Sequence, residues 1–140
     1  RAMPALPQRQ LLKARVESVH AAGWAGLDGV LQDVMEDVGR HNALDKLIGQ
    51  RARAGLLAEP GFVVLSSRAS HELVGKCARA GWVGLATISA PTALGVRAAQ
   101  LCGLRLWGMC RSPRAILYAE GGAAQLRESR AATLSPSLTV

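Results

Sequence analysis

Three short stretches of this sequence carry residue types suited to binding an anionic group. They are Ser66-Ser67-Arg68, Ser89-Ala90-Pro91-Thr92 and Met109-Cys110-Arg111-Ser112-Pro113-Arg114. Hydroxyl, backbone N–H and guanidinium donors together match the oxygens of a pyrophosphate. The same Ser and Thr residues would also serve as helix caps, with Pro91 favoured in a first turn. Spacing alone leaves both readings open. A fourth stretch, EDVGRHNALDK over 36–46, gathers Glu36, Asp37, Arg40, His41, Asp45 and Lys46. Asp37 reads as an N-cap, and Asp45 and Lys46 as a solvated helical face. Gly39, Arg40 and His41 at a helix start form a corner suited to an anion or to a subunit contact.

Several catalytic patterns are excluded by the residues themselves. His71-Glu72 is followed by Gly75 where a zinc protease HExxH would need its second histidine. His20-Ala21-Ala22 lacks the glutamate of the HxE used by zinc deaminases, and no PCxxC follows. No GxSxG, GxxxxGK[ST] or GxGxxG occurs, so nucleophile-elbow hydrolases, P-loop NTPases and the dinucleotide fingerprint are unsupported. The three histidines are dispersed, and no metal is expected. The cysteines number three, with no CxxC among them, so neither a disulfide framework nor a zinc site fits, and a reducing cytoplasm does. Cys77 and Cys102 fall in helical patterns as inert thiols. Cys110 stands beside Arg111 and Arg114, whose charge would lower a thiol pKa.

The elements that must position these residues follow from periodicity. Residues 1–15 read as a polar lead-in containing Pro4 and Pro7. Apolar runs at 19–24 and 30–35 flank the turn signal Leu27-Asp28-Gly29, which predicts an antiparallel pair. Leu44, Leu47 and Ile48 share one face of a helix stopped by Gly55. A strand–helix rhythm then repeats. Strands are predicted at 61–67, 82–89 and 104–110, with helices at 70–80 and 91–102 closed by Gly81 and Gly103. A turn through Ser112-Pro113 leads to a last short strand at 115–118. Near-continuous apolar strands alternating with helices predict an α/β fold, a layered sheet with helices on both faces. In such sheets, ligands collect where parallel strands end and helices begin. That is where the three hydroxyl- and arginine-bearing stretches fall. The domain runs over 16–120, and 121–140 reads as a flexible tail.

Composition agrees with a globular chain. Of 140 residues, 49% are apolar and 19% charged, and the net charge is +7. The excess charge points to an anionic partner. Basic and aromatic residues do not alternate, so no stacking ladder for nucleic acid is expected. No apolar run approaches the roughly 20 residues of a membrane span, and no leader pattern opens the chain, so a cytoplasmic, non-spanning protein is expected.

The strings EDVGRHNALDKLIG (36–49), SSRASHELVGKCARAG (66–81), ISAPTALGVRAAQLCGLRLWGMCR (88–111) and RAILY (114–118) resemble the FdhD family, the formate dehydrogenase accessory sulfurtransferases. The resemblance runs from about His20 to Tyr118, with the motifs in the same order. It implies a cytidine-deaminase-like fold without the zinc site, and a cytoplasmic homodimer. Such proteins take sulfur from a cysteine desulfurase and pass it to the molybdenum cofactor, bis(molybdopterin guanine dinucleotide), for formate dehydrogenase. By resemblance the guanine-dinucleotide segment falls on Met109, Cys110, Arg111, Ser112, Pro113 and Arg114. Arg68 and Ser89 join it from the neighbouring strand ends. GDP is the expected mimic of the ligand.

Two departures stand out. The family's persulfide-carrying cysteine lies in a CxxC loop upstream of the matching region, and this sequence has none. The chain therefore reads as the C-terminal, cofactor-binding part of a longer protein, carrying no catalytic residue of its own. The alternative is a non-enzymatic guanine-nucleotide-binding module of the same fold. The family's Thr-Gly pair ahead of the histidine matching His20 is replaced by Val16 and Glu17.

Overall fold

The computed structural model describes residues 1–122. The expected tail falls almost wholly outside them. A short helix α1 (Ala2–Ala5) and a 3-10 turn (Pro7–Arg9) precede β1 (His20–Gly26) and β2 (Leu31–Asp37). Then come α2 (Arg40–Arg53), β3 (Gly61–Leu65), α3 (His71–Arg79), β4 (Gly84–Thr87), α4 (Ala93–Cys102), β5 (Arg105–Arg111) and β6 (Arg114–Glu120). The strands form one mixed sheet in the order β2-β1-β3-β4-β5-β6.

The β1–β2 hairpin forms at the predicted turn, where Gly29 takes φ 79° and the Asp28 carboxylate accepts the Val30 N–H at 2.9 Å. Helix α2 ends where Gly55, at φ 71°, supplies the left-handed turn that other residues rarely adopt. Its N-cap is Gly39 and not Asp37; the Asp37 carboxylate instead accepts the Gly39 N–H at 2.9 Å. Ser70 caps α3 and Thr92 caps α4, each side-chain oxygen accepting a backbone N–H three residues on. Pro91 precedes α4 and lies outside it.

The helices are divided unequally between the two faces. Residues Trp24, Val63, Leu65, Leu85 and Leu106 of the sheet pack with Leu44 and Leu47 of α2, Leu73, Val74 and Cys77 of α3, and Ala99 of α4. All three long helices thus share one face. The cause is topological: β2 to β3, β3 to β4 and β4 to β5 are parallel steps that move across the sheet in one direction. Right-handed crossovers that never reverse direction put every connecting helix on the same side. The opposite face, with Ala21, Ala25, Val64, Ala86 and Trp107, is covered by Ala2 and Met3 of α1 and by Leu6 just after it. Part of the stretch expected to be a polar lead-in is therefore core.

A fully buried Arg51 lies under the main core, its guanidinium carbon 4.4 Å from the centre of the Trp24 ring. It pairs with Asp33 of β2 and, at 2.6 Å, with Glu59, and donates to the Leu56 carbonyl at 3.2 Å. Trp82 packs against Trp24 with its ring tilted by 41°, 4.9 Å centre to centre.

Candidate functional site

Because β2, β3, β4 and β5 run the same way, their C-terminal ends lie along one edge of the sheet. Helices α2, α3 and α4 each begin just beyond those ends, at Gly39, Ser70 and Thr92. Their N-terminal N–H groups and dipoles favour negative charge along this edge. The antiparallel strands contribute their first residues here, His20 and Arg114.

All eight residues singled out from the sequence for ligand binding come to this edge. Arg68 follows β3 and is exposed; its Nε donates to the Ala90 carbonyl at 3.3 Å, tying two strand-end loops together. Ser89, half-buried, lends its carbonyl to the Met109 N–H at 3.2 Å. Met109 is exposed and holds φ 52°, the left-handed region that is uncommon outside glycine. It sits in an irregular stretch of the β5–β6 pairing, between Gly108 and Arg111. Arg111, Ser112, Pro113 and Arg114 form the exposed hairpin turn, and Arg111 and Arg114 are direct register partners. Two guanidinium groups opposite one another across a strand pair repel. Neither pairs with a carboxylate among the described residues.

Cys110 departs from its expected chemistry. The thiol is buried, and that burial pushes its pKa up against a smaller opposing hydrogen bond from the Thr87 backbone. The adjacent arginines point into solvent and do not activate it. Cys77 is pushed up to about 12 by burial inside the core. Cys102, expected to be inert like Cys77, is instead exposed at the end of α4, because it lies on the solvent face of the last turn. In native protein, only Cys102 is expected to react with iodoacetamide, with Cys77 and Cys110 labelled after denaturation. Intact-mass counting checks this, and rapid native labelling of Cys110 would contradict it.

The corner at Gly39, Arg40 and His41 is largely engaged by its own neighbours. His41 Nε2 lies 3.1 Å from Glu72 of α3, and Lys46 Nζ lies 2.7 Å from Asp37. That hydrogen bond from Lys46, followed by the Gly39 N–H, holds the Asp37 carboxyl below the ordinary carboxylate range. The contribution exists above the ordinary pKa and is lost as the pH falls through the lowered one. Arg40 is exposed and has no such partner among the described residues. Among the described residues, no group of three or more potential ligands could hold a metal, and no helix is long and apolar enough to cross a membrane.

Two residues of this edge escape sequence reading. Thr87 is fully buried at the end of β4, and Gly108 lets the Ser89–Pro91 loop close onto β5. A Cβ at Gly108 would lie 2.7 Å from Pro91 Cδ and 2.8 Å from Tyr118. The one available signal was a hydroxyl ending the otherwise apolar run Gly84-Leu85-Ala86-Thr87. A separate shallow cavity of about 360 Å³, lined by Gln100, Leu117, Tyr118 and Glu120, opens between α4 and the far end of β6, away from these strand ends.

Comparison with known proteins shows the family. The family described as FdhD/NarQ matches residues 1–124. The chain belongs to the FdhD/NarQ family. Among its relatives, a sulfur carrier protein FdhD of Xanthomonas campestris is 52% identical over 118 residues, 84% of this chain and 42% of the relative. A sulfur carrier protein FdhD of Bordetella parapertussis is 51% identical over 118 residues, 84% of this chain and 43% of the relative. A crystal structure of a Desulfotalea psychrophila protein, described as a formate dehydrogenase accessory protein, superposes with a TM-score of 0.77 at 30% identity. It covers 84% of this chain and 50% of that one. This FdhD-family chain therefore spans less than half the length of the curated relatives it matches, and its α/β fold is that of a family member.

Proposed function

We propose that this chain is the cofactor-holding part of an FdhD-type sulfur carrier that serves formate dehydrogenase. The observation that carries the reading is the paired Arg111 and Arg114 at the β5–β6 turn, on the same edge as the three helix N-termini. Like charges in register are unfavourable in the free protein and become favourable when a dianion lies between them. A pyrophosphate supplies that charge, and the guanine dinucleotide arms of bis(molybdopterin guanine dinucleotide) contain one each. Met109, Cys110, Ser112 and Pro113 would shape the pocket, with Arg68 and Ser89 closing its side.

In this reading, sulfur arrives from a cysteine desulfurase on the cysteine of a CxxC loop, a motif these 140 residues do not contain. The buried thiols of Cys77 and Cys110 are unsuited to bearing a persulfide. A cytoplasmic homodimer would offer one arginine corner to each arm of the cofactor. The absence of CxxC also favours a second reading, a guanine-nucleotide-binding module without sulfur chemistry. Calorimetric titration with GDP, against ADP as control, tests what both share. Binding of GDP with little response to ADP is expected; equal binding of both, or of neither, overturns the guanine site. Finding a CxxC in the upstream coding sequence would then decide for the sulfur carrier.

A further inference from the structure

We infer that Thr87 is the positioning residue of the arginine corner, clamping the Ser89 loop to β5 and thereby holding Met109 in its left-handed conformation. The inference takes its ligand from the reading above, while its geometry stands independently. Thr87 is fully buried, and its Oγ1 lies 2.8 Å from the Ser89 carbonyl oxygen and 3.3 Å from the Trp107 carbonyl oxygen. A threonine hydroxyl has one proton to donate, so the two carbonyls share it. One comes from the loop after β4, the other from β5.

The Ser89 carbonyl also accepts the Met109 N–H at 3.2 Å. Thr87, Ser89 and Met109 thus form a continuous chain of hydrogen bonds from the core to the residue with φ 52°. A non-glycine residue holds that conformation only when its surroundings over-determine it. Gly108 shows how closely the surroundings press, since a Cβ there would meet both Pro91 and Tyr118. Two residues beyond Met109, past the irregular stretch of the β5–β6 register, stands Arg111, paired with Arg114.

A hydroxyl that merely fills its own hydrogen-bonding needs would affect stability alone. A positioning hydroxyl must also affect the corner. The test compares wild type, Thr87→Val and Thr87→Ser, reading GDP affinity, global unfolding and hydrogen exchange at the Met109 amide. Valine keeps the shape and removes the donor; serine keeps the donor. Thr87→Val is expected to weaken GDP binding about tenfold. Its Met109 amide should exchange faster by more than the change in global stability explains. Thr87→Ser should bring both readings back to within about threefold of wild type, given the retained hydrogen bond.

Unchanged GDP affinity together with unchanged Met109 exchange in Thr87→Val would overturn the inference. If wild type binds no GDP, the ligand reading fails by itself, and Met109 exchange still decides the role of Thr87. If Thr87→Val does not fold, Thr87→Cys, a weaker donor of similar size, carries the same two readings.

Discussion

Arg111→Ala is expected to weaken GDP binding by about 1.5–3 kcal/mol, on the order of 10- to 150-fold, and Arg114→Ala by a similar amount. In the proposed site each substitution removes charge-assisted hydrogen bonds to a phosphate and leaves the hairpin backbone in place. The free protein should respond in the opposite direction. Arg111 and Arg114 face each other across the β5–β6 pair, so deleting either relieves repulsion. Such opposed like charges on an exposed strand pair cost about 0.2–1 kcal/mol. The melting temperature of either unliganded variant should therefore hold or rise slightly, while affinity falls. Added salt should shrink the stability difference, because both side chains stand in solvent. Titration and thermal melts of the same samples check both signs. Unchanged affinity in both variants would remove the hairpin from the ligand site.

The second large effect concerns stability. Arg51→Ala is expected to cost about 3–5 kcal/mol, the range for removing one partner from a buried ionic group. The side chain is fully buried against Trp24 and serves two carboxylates and a carbonyl. Asp33 and Glu59 retain side-chain exposures of 24% and 47%, so water can reach them and the lower half of that range applies. Lost packing on Trp24 adds to the lost pairing. Urea unfolding measures the difference. Arg51→Met, which restores most of the packing, should recover part of it, and a loss below about 1 kcal/mol in Arg51→Ala would show that the group is ordinary surface pairing.

Much of the architecture was legible because it depends on local periodicity and punctuation. The apolar runs of β3, β4 and β5, the alternating helices and the stops at Gly55, Gly81 and Gly103 are short-range signals, and the structure places glycines of positive φ at all three stops. Strand ends followed by helix starts then located the edge where Arg68, Ser89 and the 109–114 stretch meet. The resemblance carried by EDVGRHNALDKLIG and the later strings placed the chain in its family without any coordinates.

Other features depended on which elements touch. That three helices share one face follows from the direction of strand order, which no single segment encodes. Ala2, Met3 and Leu6 lie in a stretch with too little periodicity to announce a core, and only the uncovered second face makes them one. Cys110 looked activated from its arginine neighbours in sequence. Strand alternation and the irregular register at Met109 leave the thiol buried and the guanidinium groups exposed, so desolvation raises the Cys110 pKa. Thr87 was one hydroxyl in an apolar run until the fold set the Ser89 and Trp107 carbonyls around it. Local chemistry chose the elements and pointed to the candidate edge; burial, which exists only once distant segments pack, decided which of its side chains are enclosed and which stand in solvent.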